Sequence, residues 1–296
     1  MRPLLFAMPG NEAFAAKLLG RPGFEAGTLT YRRFPDGESY VRINDDVKGR
    51  DAVIVCTLAR PDEQFLGLWY AAQTLRELGA RRIALGAPYL CYMRQDKRFQ
   101  SGEAVTSKLF ASLVCEAFDY LITADPHLHR FQALSELYRI GTHTVATAPA
   151  LAVWIRENVD RPIIIGPDEE SEQWAASVAA AADAPHVVLR KIRHGDRDVS
   201  IDFLDSTVLR GRTPVLIDDI ISSGKTMLAV ARHLRAAGYE PPVCIGVHGL
   251  FDEEAAKDLM ESGVSRIVTT NTVPHASNAI DVSISFVAPL LQRFAL

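Results

Sequence analysis

Residues 215–226, VLIDDIISSGKT, set a run of branched apolar side chains against two adjacent carboxylates, Asp218 and Asp219. A turn of small, hydroxyl-bearing residues follows, and then a helix-like run from Met227. The apolar run predicts a buried strand that ends at the aspartates, and in open α/β sheets ligands gather beyond the carboxyl ends of strands. Small turn residues let backbone N–H groups converge on an anion, and the next helix aims its positive end at the same place. Ser222, Ser223 and Thr226 add hydroxyl donors, and Lys225 adds a charge. Carboxylates repel phosphate, so Asp218 and Asp219 should face a sugar diol or a magnesium ion. Phosphate at one end and hydroxyls at the other describe a sugar phosphate. The Walker A pattern is absent from this stretch. The aspartate pair alone also suits a strand end with an ordinary helix cap; the whole string is more specific.

Two further stretches carry chemistry. In RRFPDGESYVRI, Pro35-Asp36-Gly37-Glu38 reads as a turn between two extended segments. In PYLCYMRQDKRFQSGEAVTSK, Arg94, Lys97 and Arg98 surround Asp96, which suits a polyphosphate and equally suits a solvated charge run.

The elements that must position these residues are legible as short apolar runs: LLFAM, AVIVCT, RIALGA, YLITA, PIIIG, VLID, VCIGVHG and RIVTT. They alternate with longer helical patterns, which predicts parallel sheets with crossover helices. The chain also resembles itself. Phe14-Ala15-Ala16 matches Trp174-Ala175-Ala176, and LRELGARRIALGAPYL from Leu75 matches LRAAGYEPPVCIGVHGL from Leu234. FDYLIT from Phe118 matches VSRIVT from Val264, and Ala148-Pro149-Ala150-Leu151 matches Ala288-Pro289-Leu290-Leu291. The fold class expected is α/β, as two tandem copies of one unit, 1–145 and 146–296, each a mostly parallel sheet flanked by helices. The spacing between matches shrinks along the chain, which locates insertions in the first copy around CYMRQDKRFQSGEAVTSK and DPHLHRFQAL. Chain that one copy does without is candidate functional loop. The first copy's counterpart of the aspartate loop, AVIVCTLARPDEQ, has no aspartate pair.

Composition excludes several classes. A net charge of −4 gives no electrostatic case for nucleic acid. No apolar run reaches the ~20 residues of a membrane helix. Leu4 to Met8 is too short for a signal h-region and reads as a first strand. The four cysteines lie far apart without a CxxC pair, pointing to a reduced, cytoplasmic setting.

The aspartate loop resembles the phosphoribosyl-binding loop of the type I phosphoribosyltransferase fold. Taken together with RFPDGE, YMRQDK, ITADPHLHRF, IIIGPDEES and LRKIRHGD, the chain resembles the ribose-phosphate diphosphokinase (phosphoribosyl pyrophosphate synthetase) family, in its compact archaeal-type branch. That resemblance implies two type I phosphoribosyltransferase-like domains, ATP-site segments in the first, the ribose phosphate and catalytic loops in the second. It implies transfer of the diphosphoryl group of MgATP to the 1-hydroxyl of ribose 5-phosphate, giving phosphoribosyl diphosphate and AMP. Phe34, Asp36 and Glu38 would meet the nucleoside part of ATP from a neighbouring subunit of a homo-oligomer. Arg94, Gln95, Asp96 and Lys97 would complete the ATP site. His127, with His129 as its neighbouring competitor, and Asp168 would hold magnesium. Lys191 and Arg193 would be the catalytic cations of a mobile loop. Asp218, Asp219, Ser222, Ser223, Gly224, Lys225 and Thr226 would hold ribose 5-phosphate.

The chain departs from the family pattern in two places. Glu169 and Glu170 stand after Asp168 where small residues are usual, and Lys225 stands in the phosphate loop where glycine is common. A non-catalytic regulatory subunit, a diphosphokinase for another pentose phosphate and a nucleobase phosphoribosyltransferase are the competing readings. The last has no use for RFPDGE, YMRQDK or two copies of the fold.

Overall fold

The computed structural model describes residues 1–167, 171–193, 199–202 and 208–295; from 190 to 193 and from 199 to 202 the backbone alone is considered. Asp168, Glu169 and Glu170 lie outside the described residues.

The first copy runs β1 (Leu4–Ala7), α1 (Glu12–Leu19), β2 (Glu25–Ala26), β3 (Leu29–Arg33), β4 (Ser39–Ile43), β5 (Asp51–Val55), α2 (Pro61–Glu77), β6 (Arg82–Ala87), α3 (Thr106–Ala117), β7 (Tyr120–Ala124) and β8 (Gly141–Val145). Its sheet has the order β2-β1-β5-β6-β7-β8, with every neighbouring pair parallel. After α4 (Ala148–Asn158) the second copy runs β9 (Pro162–Gly166), α5 (Glu172–Ala182), β10 (His186–Val188), β11 (Arg190–Arg193), β12 (Val199–Asp202), β13 (Thr213–Ile221), α6 (Lys225–Ala236), β14 (Val243–Gly249), α7 (Glu253–Glu261), β15 (Arg266–Thr270) and β16 (Asn278–Ile280), followed by α8 (Val287–Ala295). Its sheet order, β10-β9-β13-β14-β15-β16, repeats the first and is again parallel throughout. Each copy also carries a separate antiparallel hairpin at the same point of the chain order, β3–β4 in the first and β11–β12 in the second.

The physical basis is the one the apolar runs suggest. Strands β5 and β7 are buried along their whole length, because helices cover both faces of a parallel sheet. In the second copy Ile163, Ile165 and Leu216 form a core with Met227, Val230 and Leu234 of α6 and Leu259 of α7.

The insertions fall where the shrinking spacing put them. Residues 88–105 join β6 to α3, against 250–252 between β14 and α7. Residues 125–140 join β7 to β8, against 271–277 between β15 and β16.

The chain forms two compact units that meet at Val145 and Ala146, and they differ in one respect from the division 1–145 and 146–296. Residues 272–274 and 282–296 belong with the first unit. Phe286 packs edge-on against Phe14 of α1 at 5.2 Å, and Arg82 donates to the carbonyls of Arg293 and Phe294 at the end of α8. The helix after β8, α4, belongs with the second unit and packs on α5. Helix α8, the last of the second copy, thus completes the first unit, which a repeat read along the chain does not reveal.

Candidate functional site

In the second unit the aspartate loop is built by β13 and α6. The strand does not end at Asp218-Asp219, as the sequence suggests, but runs on to Ile221. The ladder to β14 continues past the aspartates, with Asp218 opposite Gly246, Ile220 opposite His248 and Ile221 opposite Gly249. Leu250 N–H then donates to the Ile221 carbonyl at 2.8 Å. The loop proper is Ser222-Ser223-Gly224, and Lys225 and Thr226 open the first turn of α6.

Gly224 takes φ +65°, and a Cβ there would meet Leu259 Cδ1 at 3.0 Å. Its carbonyl accepts from Leu228 N–H at 2.8 Å, closing the first helical turn. No side chain caps α6, and the first-turn N–H groups of a helix have no partner within it. They open toward the loop, which carries the hydroxyl-bearing Ser222 and Ser223, with Thr226 in the first turn. Asp218 and Asp219 are half-buried, and Asp218 Oδ1 accepts from Asp219 N–H at 3.0 Å. The cradle is therefore solvent-accessible, with donors on its helix side and carboxylates on its strand side. Gly224→Ala is expected to cost about 1–2 kcal/mol, the penalty of a left-handed non-glycine residue, read as a lower thermal midpoint. An unchanged midpoint would mean the turn does not need this conformation.

The equivalent place in the first unit is filled by protein. Thr57 is buried, donates its N–H to Asn11 Oδ1 at 2.6 Å and donates its hydroxyl to the Thr272 carbonyl at 2.6 Å. Helix α2 begins with Pro61, which has no N–H to offer. Only the second copy keeps an open cradle.

In the first unit the β3–β4 hairpin presents Phe34, Asp36 and Glu38 at its exposed tip, as the turn residues predict. Phe34 N–H donates to the Glu38 carbonyl at 2.8 Å, and Glu38 N–H donates to Asp36 Oδ1 at 3.1 Å. One hairpin face packs on α2: Tyr31 lies so close to Gly67 that a Cβ there would sit 2.4 Å from the ring. On the other face the Arg32 guanidinium stacks over Phe34 at 4.2 Å and over Tyr40 at 4.5 Å. Arg32 went unassigned in the sequence, although its two-residue spacing from Phe34 is the period of one strand face.

The 88–105 insertion leaves Arg94, Lys97 and Arg98 exposed, Gln95 half-buried and Asp96 buried. Arg98 Nε is spent on the Glu103 carbonyl at 2.9 Å, and Lys97 lies 4.9 Å from the Phe99 ring. Asp96 Oδ1 pairs with Arg130 Nε at 3.3 Å, while its Oδ2 is buried without a hydrogen-bond partner. Arg130 belongs to the second insertion, where the rings of His127 and His129 lie 4.3 Å apart. The structure thus brings the YMRQDK and DPHLHRF segments together through an ion pair that neither motif announces.

Lys191 and Arg193 lie on β11, opposite Ile201 and Val199 of β12. Strand β11 holds the place in the second copy's chain order that β3 holds in the first.

Two copies of one parallel α/β unit, one with an open, uncapped loop at its aspartate strand, define a phosphoribosyltransferase-like protein of tandem architecture. Residues 4–117 match the N-terminal domain of ribose phosphate pyrophosphokinase, and residues 138–286 match the phosphoribosyl transferase domain. Ribose-phosphate pyrophosphokinases of Sulfurisphaera tokodaii and Methanothermobacter thermautotrophicus are each 33% identical to the chain. The first match covers 90% of both proteins and the second 94% of both. The crystal structure of phosphoribosylpyrophosphate synthetase from Mycobacterium smegmatis has the same fold, with a TM-score of 0.88 at 22% identity over 100% of this chain and 99% of that one. The chain belongs to the ribose-phosphate pyrophosphokinase family. Among the described residues no helix is long and apolar enough to cross a membrane.

Proposed function

We propose that this enzyme transfers the diphosphoryl group of MgATP to ribose 5-phosphate, giving phosphoribosyl diphosphate and AMP. The observation that carries the reading is the cradle between β13 and α6, with carboxylates on one side and uncapped N–H groups and hydroxyls on the other. Ser222, Ser223, Gly224, Lys225 and Thr226 hold the 5-phosphate; Asp218 and Asp219 hold the ribose hydroxyls. The 1-hydroxyl oxygen bonds to the β-phosphorus, the bond from that phosphorus to the α,β-bridging oxygen breaks, and AMP leaves with the oxygen while the hydroxyl gives up its proton. Lys191 and Arg193 neutralise charge on the transferring group. Positioning and charge neutralisation supply most of such catalysis.

In the first unit Arg94, Gln95 and Lys97 bind ATP, and Asp96 serves that site by holding Arg130. Phe34, Asp36 and Glu38 contact the nucleoside of ATP on a neighbouring subunit of a homo-oligomer, a role their exposure at the hairpin tip supports. Magnesium takes carboxylate oxygens together with substrate phosphates, so Asp168 and the aspartate pair suit it by type, whereas the His127 nitrogen is an unusual partner for it. Asp218 and Asp219 are solvent-accessible carboxylates, and His127 and Asp168 are the residues proposed to hold the ion on the ATP phosphates. When bound, the ion offsets the negative charge of the triphosphate. A cytoplasmic setting, where thiols stay reduced, belongs to the same reading.

The test is AMP formation from ATP and magnesium, with and without ribose 5-phosphate. AMP that depends on the sugar and matches new phosphoribosyl diphosphate is the expected result. A folded protein that binds both ligands and forms no AMP would instead be a non-catalytic subunit or a diphosphokinase for another acceptor.

A further inference from the structure

Four described non-glycine residues have positive φ: Tyr92 (58°), Asp125 (24°), Arg161 (42°) and Asp183 (53°). Aspartate tolerates this region; a bulky side chain holds it only when its surroundings impose it. Tyr92 is imposed on from several sides. Cys91 and Met93 on either side are buried. The preceding chain is tethered by Leu58 N–H to the Tyr89 carbonyl at 3.1 Å and by Ala124 N–H to the Pro88 carbonyl at 3.3 Å. The Tyr92 ring packs on Phe110 of α3 at 4.9 Å, and Phe110 packs on Phe65 of α2 at 4.8 Å. The Tyr92 hydroxyl donates a hydrogen bond to Asp62 Oδ1. Asp62 lies in the first turn of α2, where the helix end favours a negative charge, and a charged acceptor strengthens the bond.

The consequence lies two residues on. The chain turns at Tyr92, buries Met93, and brings Arg94 out to solvent with Gln95 half-buried beside it. We propose that Tyr92, latched to Asp62, is a positioning residue for nucleotide binding. It sets the direction from which Arg94 and Gln95 reach the ligand and touches no ligand itself. The inference rests on the reading of this segment as part of the ATP site. The bond to Asp62, with burial, pushes the Tyr92 phenol up to about 12, so the donor keeps its proton at neutral pH.

The test uses the full chain and titration calorimetry with each ligand separately. Tyr92→Phe keeps the ring and loses the donor. It is expected to raise the Kd for ATP about tenfold, the worth of one hydrogen bond to a charged group, and to leave the Kd for ribose 5-phosphate unchanged. Asp62→Ala should match it, the double variant should be no weaker than either single one, and Asp62→Asn, which keeps an acceptor oxygen, should restore most of the affinity. An unchanged ATP Kd in Tyr92→Phe, or an equal loss for both ligands, overturns the latch. If Tyr92→Phe does not fold, the Asp62→Ala and Asp62→Asn pair decides by the same criterion. Wild-type protein is titrated first: failure to bind ATP there defeats the nucleotide reading itself, whereas normal wild-type binding with no effect of the variants defeats the latch alone.

Discussion

Replacing Lys191 with alanine is expected to lower turnover about 10²–10³-fold, the cost of removing one preorganised charge stabiliser, with ribose 5-phosphate affinity nearly kept. The reasoning is positional. In the proposed reading Asp218, Asp219 and the loop to Thr226 hold the sugar phosphate without Lys191, which sits on a different element, β11. In the proposed mechanism Lys191 acts on the charge that develops during transfer, so its loss should appear in kcat. Single-turnover AMP formation and ribose 5-phosphate titration separate the two effects. Unchanged turnover removes Lys191 from the mechanism; a parallel loss of sugar phosphate affinity makes it a binding residue.

The second large effect concerns stability. Asp51, at the amino end of β5, is 5% exposed. Its Oδ1 accepts from Arg81 Nε at 2.9 Å and Arg82 Nε at 3.1 Å, and its Oδ2 accepts from Arg82 Nη2 at 3.0 Å and from Arg81 Nη2. Arg82 in turn donates to the last carbonyls of α8. Asp51→Ala removes the carboxylate and leaves Arg82 partly buried without its counter-charge. The expected loss is about 3 kcal/mol, the low end for breaking a buried pair, because Arg81 can return to water. The thermal midpoint should fall by several degrees.

The pH dependence has a defined sign. Burial pushes the Asp51 carboxyl upward, but the hydrogen bonds and charges of Arg81 and Arg82 outweigh it and hold the group below the ordinary value of 3.8. A lowered carboxyl stabilises the fold at pH values above the unfolded-state value and loses that contribution as pH falls through the folded one. The gap in stability between the wild type and Asp51→Asn should therefore be steady from neutral pH down to about 4 and shrink below it. A gap that widens with acid would contradict this assignment.

The candidate site was legible to the extent that its chemistry is local. VLIDDIISSGKT names its own strand, turn and helix, because a glycine after two serines, ahead of an amphipathic helix, marks a tight turn between them. PDGE likewise specifies a turn. Contacts made across the fold were not legible. Asp96 meets Arg130, and Tyr92 meets Asp62, over separations that no spacing rule spans. The strand through Asp218-Asp219 ran longer than its apolar run, because partnership with β14 rather than hydrophobicity decides where a ladder stops.

By itself the sequence determined the eight central strands, the tandem repeat, the positions of both insertions and the copy that carries the aspartate loop. Each is a local pattern: a strand buried on both faces must be apolar throughout, and a repeated fold repeats that pattern. Only the tertiary structure decided the rest. The edge strands β2, β8 and β16 carry no apolar run and exist because a neighbour offers them a ladder. Residues 282–296 close the second copy in the chain yet complete the first unit, since a helix buries its apolar face wherever the matching surface lies. The first copy's cradle is closed by Thr57, Asn11 and Thr272, which are far apart in sequence and meet only on folding.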